Sequence, residues 1–110
     1  ASAGPIYAAA KIPVITPAAT ADDVTTGNPW YFRSVFDNNS QGQGSSDFAR
    51  AILGGQSSAV ISSADSFGET LSKSYIDAYK KDGGKVVAHA VISVNSATGA
   101  AACRRITSAT

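Results

Sequence analysis

The chain has no methionine, one cysteine, one histidine and one tryptophan among its 110 residues. A lone cysteine, Cys103, cannot close an intramolecular disulfide, so the fold is not a stapled one. Nor can it supply a multi-thiolate zinc site. His89 has no second imidazole with which to share a metal. In "KVVAHAVISV" it alternates with Val87 and Val91 and reads as a structural residue of a strand. Charge is also scarce: charged residues make up 15% of the chain, against about 25% in ordinary domains. The net charge is +1, and the densest basic pairs are Lys80-Lys81 and Arg104-Arg105. Displacing counterions from phosphates needs a focused basic patch, so the sequence excludes a nucleic-acid partner. No apolar run approaches the roughly 20 residues of a membrane helix. No basic start followed by an apolar stretch marks a signal peptide. The missing initiator Met is read as the sign of a processed, engineered or fragmentary form.

Motifs for catalysis are missing as well. No G-x-S-x-G elbow occurs. "GQGSSD" lacks the G-K-[ST] of a phosphate loop and the third Gly of G-x-G-x-x-G. The sequence shows no acid/base pair, no metal set and no nucleophile–base pair, and Cys103 has no histidine near it in the reading. Asp22-Asp23 falls far short of the six or more oxygens of a calcium site and reads as a solvated loop. We therefore expect no enzyme, no cofactor and no metal.

What is present is an alternation of helical and strand patterns. Gly4-Pro5 precedes "IYAAAK", a short helix with Pro in its first turn. "IPVIT" is a β-branched strand, ended by the small and hydroxylated run Thr16-Pro17-Ala18-Ala19-Thr20. Residues 17–29 are a loop broken by Pro17, Gly27 and Pro29, and "WYFRSVF" is β-prone. "DNNSQGQGSSDFARAILGG" reads as a helix capped near Ser40, with Phe48, Ala51 and Ile52 on one apolar face and Gly54-Gly55 at its end. "SSAVIS" is a strand and "SADSFGE" a loop. "ETLSKSYIDAYKKDGG" is a helix with Leu71, Tyr75, Ala78 and Tyr79 on one face, stopped by Gly83. "KVVAHAVISV" is the last strand, and no period is legible from Asn95 onward. Strands separated by helices predict an α/β fold, Rossmann-like with a mostly parallel sheet. In such sheets ligands bind beyond the carboxyl ends of the strands, where the loops after "IPVIT" and "AVIS" lie.

Three blocks, "KIPVITPAAT", "NPWYFRSVFDNNSQGQ" and "AVISSADSFGETLSKSYIDAYKKDGGKVV", resemble consecutive blocks of the branched-chain amino-acid (Leu/Ile/Val) binding family of ABC transporters. They occur in the family's order over about residues 3–94. The resemblance implies a partial periplasmic-binding-protein type I fold, in which two α/β lobes close on a small ligand. It divides the chain into a partial first lobe at 1–33, a hinge-crossing strand at 34–37, a partial second lobe at 38–94 and a divergent tail at 95–110. It further implies that the Ala18 carbonyl accepts from a ligand ammonium and that the Thr20 hydroxyl and N–H meet its ammonium and carboxylate. Phe67 falls where many members carry Tyr, keeping the apolar wall without the hydroxyl. Read from residues alone, the alternatives are a cap or turn hydroxyl bonded to its own backbone for Thr20 and a packing residue for Phe67. The implied partners are an amino acid and an ABC permease, in the periplasm or outside the cell. Full members are several times longer, so the resemblance implies a fragment. Lobe surfaces left bare by it predict a homo-oligomer or domain-swapped dimer. The alternative is a self-associating structural α/β domain that has lost its ligand.

Overall fold

The computed structural model describes residues 3–93 and 98–108. The chain divides into two compact units, Ala1–Asn38 and Asn39–Thr110. In the first, α1 (Gly4–Ala10) carries Pro5 in its first turn, where the missing N–H costs nothing. It ends at Lys11, whose left-handed backbone (φ 55°) lets its N–H reach back to the Ala8 carbonyl. Strand β1 (Val14–Thr16) and strand β2 (Tyr31–Arg33) pair in parallel, with Val14 opposite Tyr31, Ile15 opposite Phe32 and Thr16 opposite Arg33. A 3-10 turn, Asp22–Thr25, lies between them and buries Val24. Asn28 ties α1 to the turn before β2: its amide donates to the Gly4 carbonyl at 3.0 Å, and its carbonyl oxygen accepts from the Trp30 N–H at 3.0 Å.

One expectation fails here. Ser34–Asp37, expected as a crossing strand, carry no strand. The reason is loss of the partner. The Ser34 N–H donates to the Thr16 carbonyl at 3.1 Å, and beyond Thr16 the first strand has turned into its loop. A strand without a neighbour has no ladder to join.

In the second unit, α2 (Asn38–Asp47) runs into a π-helical turn, Phe48–Ile52, which Gly54 ends at φ +65°. The sequence of α2, "NNSQGQGSSD", has no apolar stripe. Its burial comes instead from small residues, with Ser46 fully buried. A Cβ at Gly42 would lie 2.6 Å from Ser74 Cβ and 2.7 Å from the Tyr75 nitrogen, so α2 meets the next helix almost backbone to backbone. Phe48 and Ile52, expected to share one apolar face, are exposed at 53% and 69%.

Strand β3 (Ser57–Ser63) and strand β4 (Lys85–Ile92) pair in parallel, joined by α3 (Ser66–Lys81). The expected face of α3 is the packed one: Ala78 and Tyr79 are buried and Leu71 and Tyr75 half-buried. Helix α3 starts at Ser66, three residues before the expected Glu69, because Asp65 caps it by accepting from the Gly68 N–H at 2.7 Å. Arg50 clasps the far end. It donates to the Gly55 and Asp82 carbonyls at 2.6 and 3.0 Å, and its guanidinium lies 5.7 Å from the Tyr79 ring centre. Helix α4 (Thr98–Thr107) packs on β4, in a stretch where no period was legible. The observed class is that expected: α/β with parallel strands.

The α2–α3 crossing makes a paired prediction. Gly42→Ala overpacks it and lowers stability by about 1–3 kcal/mol. Gly44→Ala, with nothing within 4 Å of the new methyl, raises stability by up to about 1 kcal/mol through helix propensity. Urea midpoints of the two variants against the parent check both signs.

Candidate functional site

The loop after β1 is built by its own hydrogen bonds. Thr16, the last residue of β1, is buried. Its hydroxyl oxygen accepts from the Ala19 N–H at 3.0 Å and, longer, from the Ala18 N–H at 3.4 Å. A Thr hydroxyl bonding backbone two and three residues on fixes a tight turn without a charge. The Thr20 carbonyl accepts from the Asn38 N–H at 2.8 Å. The Ala21 carbonyl accepts from Arg33 Nη1 at 2.8 Å. These bonds occupy the N–H groups of Ala18 and Ala19 and the carbonyls of Thr20 and Ala21. The Ala18 carbonyl, the Thr20 hydroxyl and the Thr20 N–H have no recorded internal partner among the described residues. Ala18 is exposed and Thr20 half-buried. One acceptor and two donors are thus presented on a fixed loop without a side-chain charge, an arrangement suited to a small polar or zwitterionic group.

Ala18 and Thr20 therefore share one loop of the first unit. Phe67 belongs to the second, as the second residue of α3, and is 48% exposed. It borders a groove of about 380 Å³ with Val60, Leu71 and Tyr75. Two residues of the loop's scaffold escaped sequence reasoning. Thr16 had a local signal, a hydroxyl two residues before a backbone turn. Arg33 had none, since its carbonyl partner lies 12 residues away.

The second unit also holds a more charged groove of about 550 Å³, lined by Ser62, Asp65, Glu69, Lys73, Asp77 and His89. His89 Nε2 and the Ser62 hydroxyl lie 2.9 Å apart, a bond linking β4 to β3. Lys73 donates to Asp77 at 2.7 Å, and that hydrogen bond raises its amine above the usual lysine value. The Asp65 carboxyl sits below its usual value, held down first by the Gly68 N–H and next by the Ser63 hydroxyl. Among the described residues no cluster of three metal-ligating side chains occurs, and no helix is long and apolar enough to cross a membrane.

Two predictions follow the geometry. Because the folded value of Asp65 is depressed, its contribution to stability is present above the ordinary carboxylate range, near pH 4, and is lost as pH falls below it. A carboxyl-carbon NMR titration checks this, with a midpoint expected below about 3.9. Thr16→Val keeps the side-chain volume but removes the acceptor for Ala19. It is expected to cost about 1 kcal/mol and to speed exchange of the Ala19 amide, both readable by hydrogen-exchange NMR.

Comparison with known proteins shows what the arrangement belongs to. The family described as periplasmic binding protein matches residues 1–110. The leucine binding protein LivK of Thermotoga maritima superposes with a TM-score of 0.86 at 26% identity, over 96% of this chain and 30% of that one. An ABC transporter substrate-binding protein from Sphaerobacter thermophilus gives 0.84 at 21% identity, over 98% of this chain and 30% of that one. A solute binding protein of an ABC transporter from Rhodopseudomonas palustris BisB5, solved with 3,4-dihydroxy benzoic acid, gives 0.80 at 22% identity, over 97% and 30%. The last two share the fold. The chain spans about 30% of the length of each of these structures. No curated protein matches it. With the whole chain matched, it belongs to the periplasmic binding protein family, a family of binding proteins and not of enzymes.

Proposed function

We propose that the chain is part of an ABC-transporter substrate-binding protein that recognises an amino acid of the branched-chain type. The observation that carries this reading is the 16–21 loop. Several of its polar groups are occupied by Thr16, Asn38 and Arg33, while the Ala18 carbonyl and the Thr20 hydroxyl and N–H are the groups we assign to a ligand. An ammonium suits the carbonyl and the hydroxyl oxygen, and a carboxylate suits the N–H. Fixed neutral dipoles can hold a zwitterion because they need no reorganisation when it arrives. The likeness to a leucine binding protein supports leucine as the first candidate. A relative of the same fold solved with 3,4-dihydroxy benzoic acid makes aromatic acids the natural comparison set. We infer a protein of the periplasm or cell exterior that delivers its ligand to an ABC permease, a reading the family match supports.

A second reading, a self-associating α/β domain without ligand, is favoured by Ile15 and Phe32. These strand partners are exposed at 68% and 52%, although parallel sheets are ordinarily covered on both faces. A thermal-shift screen separates the two. At leucine 100-fold above its Kd, binding adds about 2.7 kcal/mol, enough to raise Tm by several degrees. Thr20→Ala is expected to abolish most of that rise. A flat response to leucine, isoleucine, valine and aromatic acids, with a multimeric mass by light scattering, supports the second reading.

A further inference from the structure

The end of the loop lies in a closed ring of interactions. Thr20 and Ala21 are joined covalently, as are Asp37 and Asn38. The Asn38 N–H donates to the Thr20 carbonyl at 2.8 Å. Arg33 Nη1 donates to the Ala21 carbonyl at 2.8 Å, and Arg33 Nη2 donates to Asp37 Oδ2 at 3.2 Å. One guanidinium thus bridges the two halves of the ring, and its side chain is only 12% exposed. The register of the sheet puts Arg33 there. It is the last residue of β2 and the strand partner of Thr16, which grips the front of the same loop. Asp37 neutralises the guanidinium at its open side, at 31% side-chain exposure. An Arg held this way is a scaffold rather than a free cation: two of its donors are committed in a planar fork that Lys cannot reproduce.

We propose that Arg33 is a positioning residue for the ligand loop, acting with Asp37 to hold the Ala21 carbonyl, which the Val24 N–H also meets at 3.2 Å, and with it the adjoining Thr20 in its binding geometry. The idea rests on the loop being the ligand site, and it also makes a claim about the free protein that needs no ligand. The two parts are tested separately on the full 110-residue chain.

Amide hydrogen exchange on ligand-free protein comes first. Arg33→Lys and Asp37→Asn are each expected to speed exchange at the Asn38 amide at least tenfold, on the order of one lost local restraint. The Val14 amide, bonded to the Trp30 carbonyl at 2.8 Å, should keep its wild-type rate and so report that β1 and β2 remain paired. Unchanged exchange at Asn38 in both variants overturns the ring. If Val14 also speeds up, the variants have lost the sheet, and Asp37→Glu, which keeps the charge, must then restore Asn38 protection relative to Asp37→Asn or the proposal fails.

Leucine titration comes second, at a temperature where all variants are folded. Arg33→Lys should weaken binding about tenfold in the parent and less than threefold in a Thr20→Ala background, the non-additivity expected of residues acting through one another. Equal losses in both backgrounds show that Arg33 does not act through Thr20 and overturn the positioning role. Absence of leucine binding in the parent, with the exchange result intact, removes the proposed ligand and leaves the ring standing.

Discussion

Thr16 and Arg33 face each other at the end of a three-residue parallel ladder, and the first unit's polar loop depends on that register. Both strands leave their last side chain at the carboxyl end of the sheet, where each reaches a different part of the same turn. Thr16 takes N–H groups at its start, and Arg33 takes a carbonyl at its end. A slip of one residue would send both side chains to the opposite face. The loop would then lose the Thr16 acceptor at Ala19 and the Arg33 donor at Ala21 together, leaving the Ala21 carbonyl with the Val24 N–H alone. Chemistry without charge at the site follows from this. The Arg33 guanidinium is paired to Asp37, so the loop presents backbone groups and a hydroxyl rather than a charge from Arg33.

The second unit solves a different problem with the same means. Helix α2 carries no large apolar group, so close approach replaces bulk there. Gly42 lets α2 and α3 touch at the main chain, and Gly84 leaves room for the Tyr79 ring, which a Cβ there would strike. Tyr79 stacks on Tyr75 with ring centres 5.4 Å apart and is fully buried. Asp65 then fixes where α3 begins, which sets the position of Phe67 two residues beyond the cap.

Much of this was legible in the sequence, for physical reasons that differ by element. The β-branched "IPVIT" and the spacing of Leu71, Tyr75, Ala78 and Tyr79 are local patterns, and local patterns survive folding. Gly83, at φ +79°, stops α3 as its residue type suggests. Helix α4 is amphipathic, but its apolar side is carried mostly by alanines, which made it easy to pass over in the sequence; it packs on β4 and buries Ala102. The strand expected at Ser34–Asp37 was overruled by the end of its partner. Asp65 was hidden among Ser and Asp residues that serve caps and loops alike. Ala18 and Thr20 were reached through family resemblance rather than pattern. The Arg33 bridge is a contact between distant residues, which no window of sequence displays.

The central claim is that residues 18–21 form a fixed, ligand-presenting loop. Amide chemical-shift mapping during a leucine titration tests it most directly. The account predicts saturable shifts at the amides of Ala18 to Ala21 and at Asn38. Saturable shifts confined to the charged groove of the second unit, around Ser62, Glu69, Lys73 and His89, would contradict it.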